Sequence, residues 1–141
     1  MSTLKTVGIV GTGVMGSGIV QTCAHAGYPT IMMARSFESI DRAMTNIKDG
    51  LGKLVKRDQI SQQDQDDTIG RIEPTLELDA LQQCDIVIET IVEDLEVKKD
   101  LFEKLDAICK ADTILASDTA TLPIIEIAKA TKRPEKVVGL H

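Results

Sequence analysis

The segment Thr6-Val-Gly-Ile-Val-Gly-Thr-Gly-Val-Met-Gly16 determines the fold of this 141-residue chain. Its first half, Thr6–Val10, is a short β-branched apolar run, which is typical of a strand buried on both faces. A glycine ends the run, and the residues from Met15 to Ala26 are small and helix-compatible until Gly27, which fits a helix C-cap. A second apolar run, Thr30–Met33, comes next. Strand, tight turn, helix and strand within about 30 residues predict a right-handed βαβ unit.

A long amphipathic helix is predicted after this unit. Its apolar residues recur at helical spacing and form one face: Ile40, Met44, Ile47, Leu51, Leu54 and Val55. The polar segment Gln59–Asp67 then predicts a solvated turn or short helix.

The second half of the chain alternates in the same way. Strands are predicted at Asp85–Glu89, Thr113–Ala116 and Lys136–Leu140. The helix between the first two of these strands has an apolar face formed by Val97, Leu101, Leu105 and Ile108, and Pro123 opens a short helix that ends near Ala130. This alternation predicts a Rossmann-type, doubly wound α/β fold with a mainly parallel sheet and helices on both faces. We expect residues 1–141 to form one dinucleotide-binding domain.

Composition restricts the classes of partner. Apolar residues make up 43% of the chain and aromatic residues 2%, which predicts an aliphatic core. The net charge of −6 argues against nucleic acid as a partner. The cysteines at positions 23, 84 and 109 form no C-x-x-C pair, so no metal site is predicted. Neither a signal peptide nor an apolar run of about 18 residues is present, so we expect a cytoplasmic protein without a membrane partner.

The glycine-rich turn predicts a cofactor site. Gly11 allows the tight turn off the strand, Gly13 lets a pyrophosphate approach the backbone, and Gly16 lets the helix pack closely on the strand. Val14 and Met15 lie between them, where the first amides of the helix offer N–H groups and a partial positive charge to phosphates. Strand, turn and helix in this order predict that the ligand is NAD or NADP. We also expect Gly18 to be a close-packing position.

The end of the second strand bears on the cofactor's ribose. An acidic residue usually accepts a hydrogen bond from the ribose 2′-OH there, but this chain has Met33-Ala-Arg-Ser36. Arg35 is therefore a candidate partner for a 2′-phosphate. The alternative is that Arg35 is an ordinary surface cation that stacks on adenine or makes no contact.

Three segments together resemble the L-3-hydroxyacyl-CoA dehydrogenase family, which includes 3-hydroxybutyryl-CoA dehydrogenases. These segments are Val10–Ile19 with Ala26-Gly-Tyr28, Val87–Lys99 and Thr131–His141. The resemblance runs the full length of the chain. It implies that this is the N-terminal cofactor domain of an NAD(P)-dependent enzyme, that a helical C-terminal domain comes from the rest of the gene or another chain, and that the enzyme is a dimer.

The resemblance also assigns individual residues. His141 matches the catalytic histidine that removes the proton of the substrate's 3-hydroxyl, and a histidine's usual pKa suits a general base near neutral pH. Glu93 and Lys98 match residues near the nicotinamide half of the cofactor; from the residues alone, a solvated charge pair at the start of a helix would explain them as well. Lys53, Lys56 and Arg57 share a helix face that could bind the phosphates of an acyl-CoA substrate, although a solvated basic face explains them equally.

The chain departs from the family pattern in three ways. The acidic ribose-binding residue is replaced by Ala34. The family's Asn-Thr-Ser-Ser-Leu is Asp118-Thr-Ala-Thr-Leu122, which removes a hydroxyl at Ala120. The 141 residues also do not include the glutamate that orients the family's histidine, and a base without its orienting carboxylate loses much of its effect.

These observations predict the cofactor-binding portion of an oxidoreductase that transfers hydride between a 3-hydroxyacyl-CoA and NAD(P). We expect the 141-residue chain alone to be inactive or weakly active. One alternative is a non-catalytic dinucleotide-binding or redox-sensing module. Another is a dehydrogenase of a different 3-hydroxy substrate, such as a sugar acid or a carrier-protein thioester.

Overall fold

The structure is a computed structural model in which residues 3–141 are described, and in that range strands and helices alternate. The strands are β1 (Val7–Val10), β2 (Thr30–Met33), β3 (Ile72–Thr75), β4 (Ile86–Glu89), β5 (Ile114–Ser117) and β6 (Val137–Gly139). The helices are α1 (Val14–His25), α2 (Phe37–Lys56), α3 (Gln62–Gly70), α4 (Leu95–Ile108) and α5 (Ile124–Ala128). Two short 3-10 turns cover Leu78–Leu81 and Pro134–Lys136.

All six strands form one parallel sheet in the order β3-β2-β1-β4-β5-β6. The predicted doubly wound α/β class is therefore confirmed. The strand order reverses between β1 and β4, where the two halves of such a sheet diverge and leave a crevice at the carboxyl ends. Val10 pairs in register with both Met33 and Glu89, so the carboxyl ends of β2, β1 and β4 are level at this crevice.

Helices cover both faces of the sheet. Strand residues alternate between two buried clusters: Ile9 packs with the apolar faces of α1 and α2, and Val10 packs with those of α4 and α5. The core is aliphatic as predicted, with Phe102 its one buried aromatic residue within the described range, whereas Phe37 is 74% exposed. The C-cap residue of α1 is Ala26, and the predicted Gly27 follows it with a φ of +105°, the left-handed position where glycine ends a helix.

The predicted apolar face of α4 is confirmed from Leu101 to Ile108 and is wrong at Val97. Val97 is 44% exposed, while Lys98, Phe102 and Leu105 are the buried residues of this helix. The sequence pattern assumes that a lysine lies outside, but Lys98 is buried against a carboxylate, as described below.

Strand β3 was not predicted. Its sequence is Ile-Glu-Pro-Thr, only Ile72 is buried, and a proline inside a short run argues against a strand. The strand lies at the edge of the sheet, where Pro74 is tolerated because no further strand needs its missing N–H group.

The cysteines behave as small core residues. No disulfide links them, and burial raises the pKa of Cys84 to about 12 and that of Cys109 to about 11. Among residues 3–141, no group of three or more histidine, cysteine, aspartate or glutamate side chains is arranged to hold a metal ion. Within the same range, no helix is long and apolar enough to span a membrane.

Candidate dinucleotide site

The glycine turn after β1 depends on close backbone packing. Gly11 has a φ of +114°, which other residues rarely adopt, and a Cβ on it would collide with the Thr90 side chain. A Cβ on Gly16 would overlap the carbonyl oxygen of Gly11. A Cβ on Gly13 would meet no atom within 4 Å, so this glycine leaves open space at the turn. Gly18 also has no neighbour within 4 Å of an added Cβ, so its predicted close-packing role is wrong.

The start of α1 can accept an anion. Its N-cap residue is Gly13, which supplies no side-chain cap, and the first turn contains no acidic residue. The amide N–H groups of this turn therefore have no side-chain acceptor. Unpaired N–H groups and the helix dipole make such a terminus a binding site for phosphate.

A cavity of about 530 Å³ opens at the reversal of strand order. Four segments line it: the turn Val10–Val14, the end of β2 at Met33–Arg35, one face of α2, and Thr90–Val92 after β4 together with Val97. The cavity thus brings together four predicted site residues: Gly11, Gly13, Val14 and Arg35. Met15 and Gly16 lie outside its lining, and Met15 is 53% exposed.

Sequence reasoning missed the contribution of α2 to this cavity. Ser39, Arg42 and Asn46 line it from that helix. Their spacing of i, i+3 and i+7 places them on one face, and this pattern could have identified them beside the apolar stripe.

The lining of the cavity contains arginines but no carboxylate. Ala34 occupies the position at the end of β2 where an acidic ribose contact is usual; it is 4% exposed, and its N–H donates to the carbonyl of Thr75 over 2.9 Å. Arg35 and Arg42 are both exposed and both line the cavity.

Lys98 does not reach this cavity. Its ammonium contacts the carboxylate of Glu89, the last residue of β4, and both side chains are almost fully buried. Glu89 also accepts hydrogen bonds from the Ser117 hydroxyl (2.5 Å) and the Ile91 amide (2.8 Å). The pair therefore joins the ends of β4 and β5 to the start of α4.

Glu93 links the loops that follow β4 and β5. Its carboxylate accepts hydrogen bonds from the Thr119 hydroxyl over 2.6 Å and from the Ala120 amide over 3.0 Å, and Lys98 lies 3.6 Å away. The Thr119 hydrogen bond, with smaller contributions from the Ala120 amide and the Lys98 charge, holds the pKa of Glu93 below its usual value. Glu93 thereby fixes the segment that contains Ala120.

His141 lies just beyond β6, where the Leu140 amide donates to the carbonyl of Ser117. Its Nδ1 is 3.2 Å from Asp118 Oδ1 and 3.3 Å from the Asp118 carbonyl oxygen. Both oxygens are acceptors when the carboxylate is ionised, so in the neutral ring this contact favours the tautomer with the hydrogen on Nδ1 and the lone pair on Nε2. Asp118 thus supplies a carboxylate to this histidine from within the chain. The His141 side chain is 64% exposed and that of Asp118 10%.

The basic cluster lies outside the lining of the cavity. Lys53 and Lys56 are in the last turn of α2, and Arg57 is the residue that ends the helix. All three are exposed, about 10 to 17 Å along the helix axis from Asn46, the nearest cavity residue of α2. The structure therefore does not bring them together with the glycine turn.

Together, the strand order, the uncapped glycine turn and the cavity at the strand reversal define an α/β domain of the dinucleotide-binding class. The family described as 3-hydroxyacyl-CoA dehydrogenase, NAD binding domain, matches residues 6–141. The chain belongs to this family.

Similar proteins agree with this assignment. The chain is 41% identical to a 3-hydroxybutyryl-CoA dehydrogenase of Clostridioides difficile over 133 residues, which are 94% of this chain and 47% of the relative. The crystal structure of a 3-hydroxybutyryl-CoA dehydrogenase from Escherichia coli K12 superposes with a TM-score of 0.97 at 36% identity over 99% of this chain and 30% of that one. An (S)-3-hydroxybutyryl-CoA dehydrogenase from Ralstonia eutropha gives 0.96 at 32% identity over 99% and 49%. The chain spans about half the length of the Clostridioides difficile relative.

Proposed function

We propose that residues 1–141 are the cofactor domain of a dehydrogenase that interconverts a 3-hydroxyacyl-CoA and its 3-oxo form. The observation that carries this proposal is the common edge of the sheet: the glycine turn and His141 both follow carboxyl ends of its strands. The remainder of the enzyme is a helical domain, supplied by the same gene or by another chain, and the assembly is a cytoplasmic dimer.

The glycine turn and α1 hold the pyrophosphate in this proposal. Gly13 leaves room for it, and the uncapped amides of α1, from Val14 and Met15 to Gly16, donate to it. The bound nicotinamide supplies the chemistry of accepting hydride from the substrate carbon. Glu93 borders the nicotinamide half and holds the Ala120 segment in place. Lys98 acts as a positioning residue, because its contact with Glu89 fixes the start of α4 beside Glu93.

His141 is the general base. With Nδ1 donating to Asp118, Nε2 is free to take the proton of the 3-hydroxyl. Asp118 keeps the ring in one orientation and stabilises the imidazolium that forms, which is the usual role of a carboxylate beside a catalytic histidine. Lys53, Lys56 and Arg57 are the proposed contacts for the phosphates of coenzyme A.

One observation favours a second function, a dinucleotide-binding module without catalysis. Ala120 has no hydroxyl, and its amide is already engaged by Glu93. A site that offers no donor there gives less help to a reacting oxygen. Cofactor binding without turnover in the complete protein would support this second function.

Cofactor binding tests the site that both functions require. Calorimetric titration of the chain with NADH and NADPH is expected to show one site. Gly13→Val is expected to abolish binding, because its side chain fills the space left for the pyrophosphate, whereas the control Gly18→Ala is expected to retain it. If the chain binds neither dinucleotide at millimolar concentration, the proposed function is wrong.

A further inference from the structure

The charge of the cavity is opposite to that of the whole chain. The chain has a net charge of −6, with 22 acidic and 16 basic residues. The cavity lining nevertheless contains two guanidinium groups, from Arg35 and Arg42, and no carboxylate. Such a local reversal favours an anionic group within the cavity.

Neither arginine is neutralised within residues 3–141. No carboxylate oxygen lies within 4.0 Å of either guanidinium in this range. The nearest acidic residues along the helix are Glu38 and Asp41; neither lines the cavity, and Asp41 lines a neighbouring depression that it shares with Arg42. Two unpaired guanidinium groups beside one cavity match the charge and the hydrogen-bonding needs of a phosphate monoester.

A hydroxyl lies beside the arginines. Ser39 Oγ is 3.5 Å from Arg42 Nη2 and 3.0 Å from the hydroxyl of Ser36, which caps α2 by accepting a hydrogen bond from the Ser39 amide. Ser39 is therefore held at the edge of the cavity.

The residue after β2 offers no side-chain contact to the cofactor's ribose. Ala34 has no acceptor for the 2′-OH of a ribose, so unmodified ribose gains no hydrogen bond from it. We infer that Arg35, Arg42 and Ser39 form a subsite for a phosphate on the 2′ position of that ribose. The domain then binds NADP in preference to NAD. The inference rests on the proposed binding of a dinucleotide in the same cavity.

Coenzyme A carries a similar ribose phosphate at its 3′ position, so the source of the phosphate must be tested. The same cavity wall contains Gly11 and Gly13, which favours the dinucleotide as the source. The adenosine fragments 2′,5′-ADP and 3′,5′-ADP carry the two alternatives, and 5′-AMP carries neither.

Calorimetric titration of the 141-residue chain with these fragments, NADH and NADPH tests the inference without an activity assay. We expect 2′,5′-ADP and NADPH to bind about 10- to 100-fold more tightly than 5′-AMP and NADH. Arg35→Ala and Arg42→Ala are each expected to remove about 10-fold of the preference. Lys48→Ala removes the same charge from an exposed position of α2 outside the cavity, and is expected to leave the preference within about 2-fold.

A variant that restores an acidic residue after β2 tests whether the preference can be reversed. Ala34→Asp introduces a carboxylate that accepts from a 2′-OH and repels a 2′-phosphate, so it is expected to shift the preference towards NADH. Circular dichroism and urea unfolding verify that each variant is folded.

The outcomes separate the inference from the proposed function. Equal binding of NADH and NADPH, unaffected by the arginine variants, would overturn the subsite and leave the proposed function intact. Tighter binding of 3′,5′-ADP than of 2′,5′-ADP would assign the arginines to coenzyme A and overturn the NADP preference. Binding of neither dinucleotide would overturn both proposals.

Discussion

Lys98 is a buried cation whose ammonium contacts the Glu89 carboxylate and the Ile91 carbonyl oxygen. Its contact with Glu89, together with the Ser117 hydroxyl and the Ile91 amide, satisfies both charged groups away from water. The sequence marked Lys98 only as a match to a residue near the cofactor. The sequence around Lys98 does not indicate that its side chain is buried, because the contact with Glu89 on β4 is known only from the structure.

Removing one member of this pair is expected to be costly. Lys98→Met leaves Glu89 buried without its cation, so the free energy of unfolding, measured in urea, is expected to fall by about 3 to 5 kcal/mol. Lys104→Met on the same helix removes only an exposed pair with Asp100 and is expected to cost less than about 1 kcal/mol. The double variant Glu89→Gln/Lys98→Met is expected to recover part of the loss. Equal, small effects of Lys98→Met and Lys104→Met would contradict the buried pair.

Asp85 anchors the chain before β1. Its carboxylate accepts hydrogen bonds from Lys110 Nζ at 2.6 Å and from the amides of Lys5 and Thr6. The Lys110 hydrogen bond, followed by those amides, lowers the pKa of Asp85 to about 2. The pKa in the unfolded chain is about 3.9, so the ionised form favours the folded state.

Because the pKa of Asp85 is lower in the folded state than in the unfolded chain, ionisation of this carboxylate stabilises the fold. The contribution of this carboxylate is fully present above about pH 4 and is lost as the pH falls towards 2, and solvent screening at this partly exposed pair limits its size. Asp85→Asn is therefore expected to lower the free energy of unfolding at pH 7 and to flatten its decline between pH 4 and 2 in urea titrations. Asp100→Asn, at an exposed pair, is the control that should leave this window unchanged. Parallel acid curves for the wild type and Asp85→Asn would refute this role.

At the scale of a single element, helix α1 contains two glycines, Gly16 and Gly18, whose surroundings differ. A Cβ on Gly16 overlaps the backbone of the glycine turn, whereas a Cβ on Gly18 meets nothing within 4 Å. Gly16→Ala is expected to displace the helix from β1 and to abolish NADPH binding. Gly18→Ala is expected to raise the free energy of unfolding by about 0.5 to 1 kcal/mol, because alanine favours a helix interior. Thermal unfolding and cofactor titration measure both effects, and normal binding by Gly16→Ala would show that the turn tolerates a shift.

The elements that are buried throughout, or along one continuous face, were predictable from the sequence. β1, β2 and β4 are short buried runs, and the stripe of α2 faces a single layer of the core. β3 was not predictable, because it contains a proline and has only one buried residue.

The candidate site likewise has a part that the sequence predicts and a part that depends on tertiary packing. The glycine turn is local, so its sequence determines its shape. Ser39 and Arg42 join it only because α2 packs with that face towards the turn, and this orientation is a tertiary property. The contact between His141 and Asp118 likewise joins the ends of two strands that are separated by a helix in the chain.

At the scale of the molecule, the two halves of the sheet edge differ in how they are enclosed. The cavity at the strand reversal has walls from four segments, but His141 is 64% exposed, and Leu140 and Val138 near it are 47% and 40% exposed. An open base lets water compete with substrate and leaves the imidazole only partly oriented. Because the chain spans about half the length of its Clostridioides difficile relative, we expect the cover for this side to come from another domain.

The 141-residue chain is accordingly expected to bind cofactor but to oxidise 3-hydroxybutyryl-CoA slowly. The absence of a cover and the replacement of a hydroxyl by Ala120 both weaken stabilisation of the reacting oxygen, and losing one such donor typically costs about 100- to 1,000-fold in rate. The two losses need not multiply, because groups that act together are not additive. Absorbance of the reduced cofactor compares three proteins: the chain, the chain joined to the C-terminal half of a relative, and that fusion with Ala120→Ser. Activity is expected only in the fusions and is expected to be higher with the serine. Fast turnover by the unmodified chain would show that its own residues suffice for catalysis, with Asp118 as the only carboxylate His141 requires.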